Sequence, residues 1–169
     1  MLFRSKPGRG VPAPLPARAT VNIAATLYQV AGNKETLDYL FTVARAGSGA
    51  GTPLPGFSKA LATVLAADPG RAAPLLKQAL ENTNEVVREA ALAAIPRSGY
   101  PDAIPLIRDE ALNTAGKRRF PSRELRALLM VDSPEAITEY NSLKQQLLNP
   151  PFDWTVSDFG RLFPVPDSR

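Results

Sequence analysis

Apolar positions along the chain recur at helical spacing, and the breaks between them fall at glycine, proline and asparagine. Leu37, Leu40, Phe41 and Ala44 occupy the i, i+3, i+4 and i+7 positions of one helix face, which predicts a helix over Glu35 to Arg45. Ahead of it, Val21, Ala24, Ala25, Tyr28, Val30 and Ala31 mark a helix from Thr20 that stops at Gly32-Asn33. The stretch from Gly47 to Gly56, GSGAGTPLPG, is expected to interrupt the helical run as a flexible loop. No Gly-Lys-Ser/Thr follows it, so a phosphate-cradling role is disfavoured. Helices are then expected over Phe57 to Ala67 and Arg71 to Glu81, with a break at Asp68-Pro69-Gly70. Next come NEVVREAALAAI from Asn84, a break at Pro96 to Gly99, and YPDAIPLIRDEALN to Asn113. A last hairpin is expected within residues 122 to 149.

These helices form a series. PLLK at Pro74 to Lys77 aligns with PLIR at Pro105 to Arg108 at an offset of 31, and SPEAI at Ser133 aligns with YPDAI at Tyr100 at an offset of 33. Thr36-Leu37 meets Ala103-Ile104 at an offset of 67, about two units. In the clearest unit, Ala90, Ala91, Ala93 and Ala94 allow two helices to approach closely, while Val87, Leu92 and Ile95 fill the space between them. Asp102 is placed to cap its second helix, with Pro105 in the first turn, where a missing N–H is tolerated. A single hairpin cannot bury its own apolar face, whereas stacked neighbours can.

The residues VVREAALAAI followed by PDAIPLI resemble a HEAT-type helical repeat, and the short period is similar to the HEAT-like repeats of the phycobilin-lyase group. The resemblance implies an all-α fold, a short right-handed α-solenoid of about four helical hairpins presenting one face to another protein. The outer units depart from it, lacking the Val87-Arg88 pair. Domain organisation follows: a basic, Pro-rich arm over 1–19, the solenoid over 20–149 and an aromatic tail or cap over 150–169.

Composition narrows the chemistry. The 169 residues include no Cys and no His, which removes thiolate and imidazole catalysis, disulfides and nearly all zinc or haem ligation. Carboxylate pairs such as Asp109-Glu110 and Glu135-Glu139 lack any accompanying base, so no catalytic residue, cofactor or metal is expected. The net charge of +4 is compatible with an acidic partner and too small to point to nucleic acid. No apolar run approaches the length of a membrane span. The first acidic residue is Glu35, and an acid-free start bearing Arg4, Lys6, Arg9 and Arg18 has the composition of an organelle transit peptide. Pro7, Pro12, Pro14 and Pro16 oppose the amphipathic helix such peptides form. No secretory signal is evident, so the expected compartment is the cytoplasm or an organelle interior.

Three surfaces are candidates for binding. The repeat alignment places Phe41, Lys77, Arg108 and Asn141 at equivalent positions on the second-helix face. Lys117, Arg118, Arg119, Arg123 and Arg126 bring five cations into ten residues, either a solvated loop or a dock for an acidic segment, phosphate or anionic headgroup. Phe120 alone accompanies them, a poor platform for single-stranded nucleic acid. Phe152, Trp154, Phe159 and Phe163 crowd the last 20 positions, and suit either a cap over the final hairpin or an anchor inserted into a neighbour. The expected function is non-enzymatic: an interaction or structural subunit within a larger assembly. The alternatives are an accessory factor of the phycobilin-lyase kind, which the resemblance implies, and anionic-ligand binding through the basic loop.

Overall fold

The computed structural model describes residues 17–52, 54–152, 154, 155, 158 and 159. Among these the chain is all-α, with eight helices and no strand. They are α1 (Ala17–Ala31), α2 (Lys34–Ser48), α3 (Phe57–Ala67), α4 (Pro69–Leu80), α5 (Glu85–Ser98), α6 (Ala103–Gly116), α7 (Ser122–Leu129) and α8 (Pro134–Leu147). Residues 1–16 of the expected arm lie outside the described residues, and 17–19 form the first turn of α1.

Local chemistry sets most boundaries. Gly32, at φ +61°, ends α1, and Asn33 then caps α2 by accepting from Thr36 N. Asp68 caps α4 by accepting from Arg71 N, with Pro69 at the first helical position. Asn84 and Ser133 do the same for α5 and α8.

Two expected breaks are displaced. Gly47 and Ser48 belong to α2, and Gly47 is buried where a Cβ would overlap the Phe57 ring; absence of a side chain here permits close approach of α2 and α3. Pro96 lies within α5, which runs on to Ser98 and stops at Gly99, φ +63°. A proline in the last turn removes one hydrogen bond, whereas the left-handed residue reverses the chain. Asp102 stands at the start of α6 but its side chain makes no capping bond; Pro105 is in the first turn as expected.

Packing links alternate helices. The odd-numbered helices pack in series, α1 on α3, α3 on α5 and α5 on α7, while α2 packs on α4 and α6 on α8. Between α4 and α6 there is almost no packing. The alanine-rich α5 meets α3 extensively and its own partner α6 only slightly. The close approach expected within the Asn84–Asn113 unit is therefore made between units, where Ala60 and Ala62 of α3 and Ala91 and Ala94 of α5 are all buried. One apolar cluster runs from Val21 to Phe159, with Phe41, Phe57, Leu61, Leu76, Ile95 and Leu125 among its largest buried side chains.

Polar ties cross the same junctions. Asn82 Nδ2 donates to Ser48 O at 3.0 Å and Ala50 O at 3.1 Å, separations of 34 and 32 residues. Asn84 Nδ2 donates to Gly51 O across 33 residues, Arg71 to Asp38 across 33, and Arg119 to Glu85 across 34.

Candidate functional site

The basic loop is built by the end of α6. Arg118 adopts φ +55°, its N–H donating to Ala115 O at 2.8 Å, and this left-handed residue turns the chain toward α7. The turn carries Arg119 beside Arg123, in the first turn of α7, and both donate to the same oxygen of Glu85 at 2.6 Å. Arg123 Nε also lies 3.6 Å from Glu89. These hydrogen bonds, with the charges behind them, hold the Glu85 carboxyl below the ordinary carboxylate range. Two of the five expected docking cations are thus engaged by α5; Lys117, Arg118 and Arg126 are exposed and make no ion pair within 4.0 Å among the described residues.

Behind the loop, where α4 and α6 stand apart, α5 floors a cleft of about 450 Å³. Leu80, Leu92 and Phe120 contribute apolar lining. Arg88 donates to Asn82 O and Thr83 O at the end of α4. Across from it, Thr114 Oγ1 donates to Glu124 Oε1 at 2.8 Å, and Glu124 is 8% exposed. The half-buried Glu110 carboxyl is pushed up by burial, and the neighbouring charges of Glu124 and Glu81 add to that, opposed by Asn113 and Lys117. No group of three or more His, Cys, Asp or Glu among the described residues is arranged to hold a metal ion.

On α4 and α8, Lys77 and Asn141 are exposed, and Lys77 Nζ lies 4.0 Å from Glu81. Arg108 directs Nε and Nη2 onto Asp109 Oδ1 at 3.0 and 2.9 Å. Phe41 departs from this set. It is 1% exposed, with the Arg71 guanidinium 3.9 Å above its ring, so Arg71 supplies the surface at that position.

The aromatic tail folds back. Phe159 is buried and Phe152 and Trp154 are half-buried, Trp154 N donating to Leu147 O at 3.0 Å. Phe120 stands edge-on to Trp154 at 5.5 Å and to Phe159 at 5.1 Å, and Lys144 Nζ lies 5.6 Å from the Phe159 ring centre. Phe152, Trp154 and Phe159 therefore pack against the helices; Phe163 lies outside the described residues.

Sequence reasoning did not single out Glu85, Glu124 or Asn82, and set Glu110 aside as one of an ordinary carboxylate pair. Asn82 and Glu85 look like ordinary surface residues until partners 34 positions away arrive beside them, and Glu110 and Glu124 until α6 and α7 fold together. No helix among the described residues is long and apolar enough to cross a membrane. Comparison with protein-family models, curated proteins and solved structures finds no match to the chain.

Proposed function

We propose that the chain is a short HEAT-like solenoid of four helical hairpins, acting as a non-enzymatic interaction subunit that meets another protein on its even-helix face. The observation that supports this reading is the recurrence of polar ties at one chain separation. Arg71 with Asp38, Asn82 with Ser48, Asn84 with Gly51 and Arg119 with Glu85 all join residues 33 or 34 apart. Side chains one repeat apart become neighbours when successive units stack in register. Stacked units expose extended faces, and Lys77, Arg108 and Asn141 lie on the one carried by α4, α6 and α8.

The test reverses two of these charges. In the double variant Lys77→Glu/Arg108→Glu, capture of the partner identified by native purification and mass analysis should fall at least about tenfold, equivalent to about 1.4 kcal/mol. The helical signal should stay unchanged, since both residues are outside the core. Undiminished capture by a folded double variant would remove this face from the proposal.

A further inference from the structure

The cleft between α4 and α6 contains more charge than its internal pairs neutralise. Glu85 and Glu89 are answered by Arg119 and Arg123, and Arg88 is held by two carbonyls at the end of α4. That leaves two carboxylates, Glu110 and Glu124, against one unpaired lining cation, Lys117, and neither carboxylate has a cation within 4.0 Å among the described residues. Glu124 is more than nine-tenths buried, a position where a carboxylate ordinarily requires a cationic or multiply hydrogen-bonding partner. Thr114 Oγ1 satisfies its Oε1, and no hydrogen bond reaches its Oε2 from the described residues.

We infer that the cleft is a binding site for an alkyl guanidinium or ammonium group, seated on Glu124 and Glu110 with its aliphatic stem against Leu80, Leu92 and Phe120. The cleft's volume of about 450 Å³ is within the range of small-ligand pockets, roughly 300–1,000 Å³. Its lining suits a group that is charged at the tip and apolar along the stem. An anion entering the same space would face Glu81, Glu110 and Glu124 with Lys117 the one lining cation among the described residues not held by the protein, since Arg88, Arg119 and Arg123 are already engaged. The inference stands on the cleft's own chemistry and does not depend on the reading of the even-helix face.

Two sources supply such a group, a free small amine or the side chain of a protein's arginine or lysine, and the experiment separates them. The full chain, isotopically labelled, is titrated with agmatine and separately with acetyl-Gly-Arg-Gly-amide. The neutral acetyl-Gly-citrulline-Gly-amide serves as control, and the Glu110, Thr114 and Glu124 resonances are followed by NMR. Saturable shifts with a charged probe, absent with the citrulline peptide and at least about tenfold weaker in Glu124→Gln, are expected; a tenfold loss corresponds to about 1.4 kcal/mol. Tighter binding of the peptide assigns the site to a protein partner, and tighter binding of agmatine to a free amine. Glu110→Gln, at a half-exposed position, carries the same comparison if Glu124→Gln fails to fold. No saturable shift at millimolar probe, equal binding by the variants, or equal binding of the citrulline peptide overturns the inference.

Discussion

Glu85 and Glu110 are displaced in opposite directions, and their contributions to stability carry opposite signs. Glu110 is raised, chiefly by burial, so above its unfolded value of 4.5 the folded chain holds a proton that the unfolded chain has lost. Stability from this group therefore falls as pH rises from 4.5 to the raised value. Glu110→Gln should melt higher than the parent at neutral pH, with the advantage vanishing below pH 4.5. Glu85 is lowered by Arg119 and Arg123, so its contribution is present above 4.5 and is lost as pH falls through the lowered value. Glu85→Gln should melt lower at neutral pH, by a margin that shrinks in about 1 M salt because the pair is exposed. Thermal melts across pH check both signs. The glycines divide in a similar way. An alanine Cβ at Gly47 would lie 2.7 Å from Phe57 Cγ, inside the core, and should cost about 2–3 kcal/mol by overpacking. At Gly99 no atom stands within 4 Å, and Gly99→Ala should cost only the left-handed strain, about 1 kcal/mol. Urea unfolding of the two variants should rank them in that order.

At the scale of elements, the junction between the end of α2 and the α4–α5 connection rests on a short polar segment. Asn82 donates to the carbonyls of Ser48, the last residue of α2, and Ala50 just beyond it, and accepts from Asn84 N at 2.8 Å, while Arg88 donates to Asn82 O just past α4. Asn82→Ala leaves partly buried carbonyls without their donor and should destabilise the chain by about 1–3 kcal/mol, measured by urea unfolding. A Lys77→Ala control, fully on the surface, should change little. Helix existence was legible in the sequence because capping and 3.6-residue periodicity are local. Which helix each α-helix meets was not. The alanines of α5 announced a close neighbour, but α3, rather than the hairpin partner α6, occupies that position.

For the molecule as a whole, the two ends of the helix series are finished differently. α1 leaves Ile23, Leu27 and Val30 exposed, whereas Trp154 and Phe159 pack on α8 and on Phe120 of the α6–α7 connection. Phe159→Ala removes a ring 4% exposed and an edge-on contact with Phe120, and should cost about 3 kcal/mol. The loss should register first as faster hydrogen exchange in α7 and α8, the helices nearest the tail. A variant that loses stability without local protection loss at this end would argue that the tail does not act as a cap.

The sequence by itself determined the all-α class, the approximate bounds of the first six helices described and the absence of Cys- or His-based chemistry. These depend on periodicity, capping residues and composition, all of which act within a few residues of each other. The tertiary structure alone decided that Phe41 is core and Arg71 its surface, and that Arg119 and Arg123 are engaged by a glutamate more than thirty residues upstream. It also decided that α4 and α6 stand apart around a cleft in which Glu110 and Glu124 have no cation within 4.0 Å among the described residues. Burial and charge pairing depend on which helices meet, and a periodic sequence specifies that an apolar face is covered while leaving open which neighbour covers it.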